Sequence, residues 1–553
     1  MSSTVLPVCG VALLLGISCW SIGGVIVSSP APLVRLLGGW CVFLGVCMVP
    51  WITGLSAHAA RPLLWAFFAA GIILAGRQRR WADLAAALAC TTIIGALLLS
   101  PFFHLSGLLT YGVHGTDMWG YVITAEWLQD HSLRQFPEIG VSAMRFNWTW
   151  HVLAIRERPL VYESLACLGA ATGLGPAQAY LAYPITLLAT LAMGLAREPG
   201  IFRLKFWPLV VAPAVVLVFH PLVILPWVAG FFAGSIVGLF TAHAFASAAR
   251  SGTETERREA LVLAVLMLVF CAGLYSLKFL WVALALGGVP ALATTAAALW
   301  RRDLSGLARL RSDRWLMGAL AAIIVLVAAL LLLGRDQEAN TGKPQLPVAA
   351  AGHALGEFGG ASPYVWLGYD PGSASDRNPL RNPIGLAALV ITTTLFVLVC
   401  WARWRAGRDF RIPLLLALLA GLVLKTAGDE LLMAKTLTVV GLAGLVMLAV
   451  VSVELRHTWL GILAAVICCL PAVRSAAEMQ DVIYRPYIWC TEDNLPDIKD
   501  GQDWRILGYL FYREDRDGYA WAKNPRIFYS ITQFLPPPMR QRLAEKYHVP
   551  KDP

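Results

Sequence analysis

Asp117 is the residue of this chain best placed to do chemistry. It stands in Tyr111-Gly-Val-His-Gly-Thr-Asp117-Met-Trp-Gly-Tyr121, a stretch framed by Gly112, Gly115 and Gly120. Glycines at such places let backbone approach a ligand closely. The next residues run Val122-Ile-Thr-Ala-Glu126-Trp-Leu-Gln-Asp130-His131. Ile123, Trp127 and Leu128 fit one face of a short helix. With Trp119 and Tyr121 beside it, that helix is expected at a membrane–water interface. A carboxylate there can take the proton from a hydroxyl held at the membrane surface, or ligate a divalent cation. It can equally cap the helix behind it, since Asp is a favoured N-cap and turn residue.

Further candidates follow in the same polar stretch: Arg134, Glu138, Arg145, Asn147, Trp148, Trp150, His151, Arg156, Glu157 and Arg158. Arginine grips phosphate with two donors, and tryptophan suits both sugar faces and membrane interfaces. Arg145 and His151 are candidate substrate contacts, whereas Arg156 and Arg158 read as a solvated interfacial stretch. Lys278 stands alone between Tyr275 and Phe279, and Lys425 opens Lys425-Thr-Ala-Gly-Asp429-Glu430. Charges this close to apolar runs are costly and invite a functional reading; snorkelling and mutual pairing are the alternatives. Asp370, in Tyr369-Asp-Pro-Gly, is mainly a turn residue. There is no phosphate-binding glycine loop, nucleotide fingerprint or nucleophile elbow, and no cysteine spacing that suggests a zinc site or disulfide framework.

The elements that must position these residues are membrane spans. Only 14% of the 553 residues are charged and 58% are hydrophobic, against about 25% charged in soluble domains. Runs near the roughly 20 residues that a span needs begin at Val5–Val27, Leu33–Thr53, Leu63–Ala75 and Leu84–Phe103. Ala177–Leu195, Phe206–Phe219, Ala229–Ala246 and Ala260–Tyr275 come next, and six more lie between Phe279 and Ala472. The expected fold is all-α transmembrane: a polytopic bundle of about 14 spans, with interfacial helices in its extracytoplasmic loops. The divisions are spans in 1–103, a first large loop at 104–175, and spans in 176–334. A second loop at 335–383, spans in 384–472 and a small extracytoplasmic region at 473–553 complete the chain.

The net charge of +10 does not point to nucleic acid, because the basic residues fall in short clusters between apolar runs. Arg77/Arg79/Arg80, Arg197/Arg203/Lys205, Arg250/Arg257/Arg258, Arg301–Arg314 and Arg403–Arg411 all land on one side of these spans. That side is expected to be cytoplasmic. Both termini and the loop bearing Asp117 are then extracytoplasmic, in an integral protein of a bacterial inner or plasma membrane.

A run of spans, an outer loop with an Asp near its start, and an interfacial helix behind it resemble the GT-C class of membrane glycosyltransferases. The matching residues are Asp117 and the Tyr121–Leu128 helix; about three more spans precede the loop here than the class usually has. The resemblance implies sugar transfer from a polyprenyl-phosphate-linked donor to a hydroxyl of a glycan, lipid or protein acceptor. It casts Asp117 as general base and Tyr121, Glu126, Arg145, His151, Lys278 and Lys425 as substrate contacts. A divalent cation remains open. The rival expectations are a transporter or flippase for a lipid-linked or soluble solute, and a glycan polymerase or ligase.

Overall fold

The computed structural model describes residues 5–28, 32–79, 81–103, 108–111, 116–133, 135, 159–197, 253–275 and 489–491, with single positions near 459 and 541–548. The expected spans from Phe206 to Ala246 and from Phe279 to Ala472 lie outside this set, as do the second loop and most of the C-terminal region.

The helices are α1 (Val5–Ile26), α2 (Pro32–Thr53), α3 (Arg61–Gln78), α4 (Trp81–Leu98), α5 (Thr116–Asp130), α6 (Pro159–Thr172), α7 (Pro176–Arg197) and α8 (Glu254–Tyr275). A short 3-10 turn (Ser100–Phe103) and two short strands, β1 (Leu108–Tyr111) and β2 (Trp489–Thr491), complete the described elements. Helices α1, α2 and α4 are long and apolar enough to cross a membrane. At 1.5 Å per residue, the 22 residues of α1 reach about 33 Å, enough for a hydrocarbon core of about 30 Å.

The direction of each long helix follows from who touches whom. Antiparallel α1 and α2 cross where side chains vanish: a Cβ on Gly23 would strike the Arg35 carbonyl, and one on Gly39 the Cys19 carbonyl. Such close approach is how helices associate where water supplies no hydrophobic drive. Helix α3 runs parallel to α1, with Gly71 against Ser18 and the Gln78 amide donating to the Ser21 carbonyl at 3.0 Å. Helix α7 is also parallel to α1: Gly16 meets the methyls of Thr186 and Thr190, and the Thr186 hydroxyl donates to the Ala12 carbonyl. Helix α4 runs the other way, with Gly95 beside Cys9. So does α8, whose Glu259 accepts from the Ser28 backbone at 2.9 Å while Gly273 meets Leu160.

Three helices thus point one way and three the other. One bundle end holds Ser28, Arg77, Arg79, Arg197 and Arg258; the other holds the α2–α3 connection, α5 and α6. The core between them centres on fully buried Trp40. Its ring meets Phe43 and Tyr183 edge-on, with centroids 5.7 Å away in both cases, and its indole N–H donates to Thr190 at 3.4 Å. On the outside, Val25, Ile52, Ile72 and Ile73 are each more than half exposed, an apolar girdle that suits lipid rather than water.

Helices α5 and α6, of 15 and 14 residues, are too short to join that bundle as spans. They run parallel, with Tyr121 against Tyr162 and Gln129 against Gly169. Helix α6 lies across the bundle end. Leu160 rests on Gly273 of α8, and the Ala171 carbonyl accepts the Trp65 indole N–H of α3 at 2.9 Å.

Candidate functional site

Helix α5 carries the candidate base. It begins at Thr116, so Asp117 is its second residue. The capping position therefore precedes Thr116, and Asp117 sits inside the first turn, where a negative charge meets the positive end of the helix dipole. The face that α5 buries is made of Tyr121, Thr124, Ala125 and Leu128, spaced as one helical stripe. Leu128 of the expected Ile123–Trp127–Leu128 face belongs to that stripe and Trp127 packs half-buried against the core, while the Ile123 side chain lies outside the described residues. Tyr121, with 2% of its surface exposed, stacks between Tyr162 at 5.2 Å and Tyr180 at 6.1 Å. Tyr121 follows Asp117 by about one turn of α5. Glu126 is half-buried farther along.

The far end of α5 is fixed from outside. The Ala57 and His58 backbone N–H groups, in the α2–α3 connection, donate to the Leu128 and Gln129 carbonyls at 2.9 Å each. These satisfy two acceptors that a helix C-terminus otherwise leaves unmatched. His58 Nδ1 lies 2.7 Å from Asp130 Oδ1, and the His131 ring stacks on Trp127 with centroids 3.5 Å apart.

Upstream of α5 in the chain, the first loop pairs with a segment of the C-terminal region. β1 and β2 pair antiparallel, with Thr110 opposite Cys490 and Tyr111 opposite Trp489. A segment of the C-terminal region thus joins the first loop five residues before α5 starts. The expectation of an all-helical architecture is modified by this two-stranded ladder, which satisfies backbone groups that an isolated loop would leave to water.

Arg145, His151, Lys278 and Lys425 lie outside the described residues. Among those described, no three His, Cys, Asp or Glu side chains gather closely enough to hold a metal ion. A described groove of about 310 Å³ is lined by apolar side chains of α1, α2 and α3, among them Ile22, Val46, Phe67 and Leu74. None of its lining residues belongs to α5.

The sequence reading passed over Glu163. Its side chain is 1% exposed, and neither carboxylate oxygen has a hydrogen-bond partner among the described residues. Burial pushes its carboxyl up to about 8. The signal was a lone acid in the apolar run Pro159-Leu-Val-Tyr-Glu-Ser-Leu-Ala-Cys.

No family model, curated protein or solved structure matches the chain.

Proposed function

We propose that this protein is a membrane glycosyltransferase, moving a sugar from a polyprenyl-phosphate-linked donor to an acceptor hydroxyl at the extracytoplasmic face. The observation that supports the reading best is the β1–β2 ladder, which ties the C-terminal region to the loop segment that ends five residues before α5, the helix that bears Asp117. A polar loop built in this way, at the bundle end away from Arg77, Arg79 and Arg197, supports a site that faces the outer membrane surface.

In this reading Asp117 accepts the acceptor's hydroxyl proton while that oxygen bonds to the sugar's anomeric carbon. The bond from that carbon to the donor phosphate breaks, and polyprenyl phosphate departs. Arg145, Lys278 and Lys425 hold the phosphate; Glu126 and His151 hold sugar hydroxyls. Tyr121 fixes the helix that aims Asp117.

The test is Asp117→Asn in purified protein supplied with lipid-linked sugars. Asn keeps the size and removes the charge, at a helix-dipole cost of about 0.3–1 kcal/mol, so folding survives. Turnover is expected to drop by a factor of about a hundred or more, the worth of a general base. A folded Asp117→Asn protein with full activity ends the assignment. Transport of a lipid-linked or soluble solute is the second reading, favoured by Glu163, because buried carboxylates mark proton paths in transporters. Reconstituted vesicles that move the solute without transferring sugar would establish it.

A further inference from the structure

Glu163 lies where a charge is hardest to keep. It is on the face of α6 turned to α2, at 1% exposure, with both oxygens unmatched by any donor among the described residues. Cys47 of α2 lies beside it. Cys167, four residues along α6 and so on the same face, meets the Cys47 thiol. Ser164 turns its hydroxyl to the Val161 carbonyl at 2.9 Å, and the Tyr183 hydroxyl of α7 stands near Ser164. None of these neighbours is a cation.

The charged groups of the other elements packed on α6 lie elsewhere. On α5 they are Asp117 in its first turn, Glu126, and Asp130, the last engaged with His58. On α3, Arg61 sits over the Trp65 ring at 5.9 Å, by the far end of α6. On α8, Glu254, Glu256, Arg258 and Glu259 belong to the opposite bundle end, where Glu259 meets Ser28. A bare carboxylate in this seam would carry its full desolvation penalty.

We propose that Glu163 is a proton-binding site that latches α6 onto the bundle end: the seam between α6 and α2 stays shut while the carboxyl is protonated, and loss of the proton opens it. The bound species is a proton, and the moving part is α6, the partner of the helix that bears Asp117. The latch thereby couples the pH at this bundle end to the seating of α5, which packs on α6.

Linkage fixes the sign and the steepness. With α6 seated, the carboxyl is held up to about 8; released to water, it returns to its ordinary 4.5. The seated form binds the extra proton between those values, so the ratio of open to seated α6 rises about tenfold per pH unit from 4.5 to 8 and levels off above.

The experiment is hydrogen exchange on the full chain in detergent, read as protection factors of α6 amides normalised to α2 amides, from pH 5.5 to 8. In wild type, α6 protection should fall by up to about tenfold per pH unit. Glu163→Gln should hold its protection flat at the low-pH value of wild type. Should Glu163→Gln yield too little folded protein, Glu163→Leu should give the same flat profile. Equal pH profiles in wild type and the neutral variants overturn the latch, as does a wild-type profile that is flat.

Discussion

Gly39 sits where α1 and α2 come closest, and replacing it by alanine gives a sharp test of that crossing. The added methyl would strike the Cys19 carbonyl and its neighbouring backbone carbon. A helical carbonyl cannot swing aside alone, so α1 must retreat as a body by on the order of 1 Å, and a gap of that size forfeits a quarter to a half of each contact well. The retreat also strips contacts at Gly23 and Gly38, which share the seam. Overpacking of this kind costs about 1–3 kcal/mol, and backbone as the obstacle places it at the upper end. Alanine's better helix propensity returns at most about 1 kcal/mol. Gly45, six residues along the same helix, supplies the control, because a Cβ there meets nothing within 4 Å. Gly45→Ala gains the propensity and meets no obstacle. Unfolding in mixed micelles, followed by tryptophan fluorescence, should place the two variants on opposite sides of wild type, about 2 kcal/mol or more apart. Wild-type stability in Gly39→Ala, or a Gly45→Ala that is the weaker of the two, would refute the crossing.

Two further outcomes follow from the bundle end. Glu163 titrates high in the folded chain, so its contribution to stability is whole below about 4.5 and is lost as pH rises towards about 8; wild-type melting temperature should decline across that window, and Glu163→Gln should remove this part of the slope. His58→Ala should cost under about 1 kcal/mol by thermal unfolding, since its ion pair with Asp130 is exposed and the backbone bonds from Ala57 and residue 58 still hold α5.

Apolar run length made the first spans readable. Val5–Val27 and Leu33–Thr53 were expected and α1 and α2 occupy nearly the same residues, because an unbroken apolar stretch leaves a helix few alternatives in a bilayer. Helix α3 exceeds its expected Leu63–Ala75 at both ends, since Arg61, Arg77 and Gln78 keep long polar side chains on helical backbone. Helix α6 was not legible. It is too short to span and buried on nearly every side, so it shows neither the length of a span nor the polar face of a surface helix. Its misreading as polar loop hid Glu163, which a membrane-depth reading of the same run would have flagged. The β1–β2 pairing was beyond reach for another reason. Strands of four and three residues carry almost no periodicity, and their partnership joins distant parts of the chain. As for Asp117, turn chemistry placed it near a helix start, but the choice between capping residue and first-turn residue depends on where backbone bonding begins.

Sidedness is where these strands of reasoning meet, and it yields the last prediction. The bundle ends are tied together by contacts that do not depend on the positive-inside rule. Gln78 bonds Ser21, Glu259 bonds Ser28, and Gly194 packs on Leu33 and Leu36, which gathers Arg77, Arg79, Arg197 and Arg258 at one end. Ala57 and His58 bond the end of α5, while β1 pairs with β2, which gathers the opposite group. Each group must therefore share one side of the membrane. Reporter fusions after Arg79 and after Arg197 should give one signal, and fusions after His58 and after Thr491 the other. Basic residues favour the cytoplasm, so the first pair is expected to report cytoplasm. A result with all four signals inverted would keep the bundle but remove the outer-face donor from reach of Asp117. Signals that split either pair would refute the helix directions themselves, because no rigid bundle can place the two members of one group on opposite sides of a bilayer.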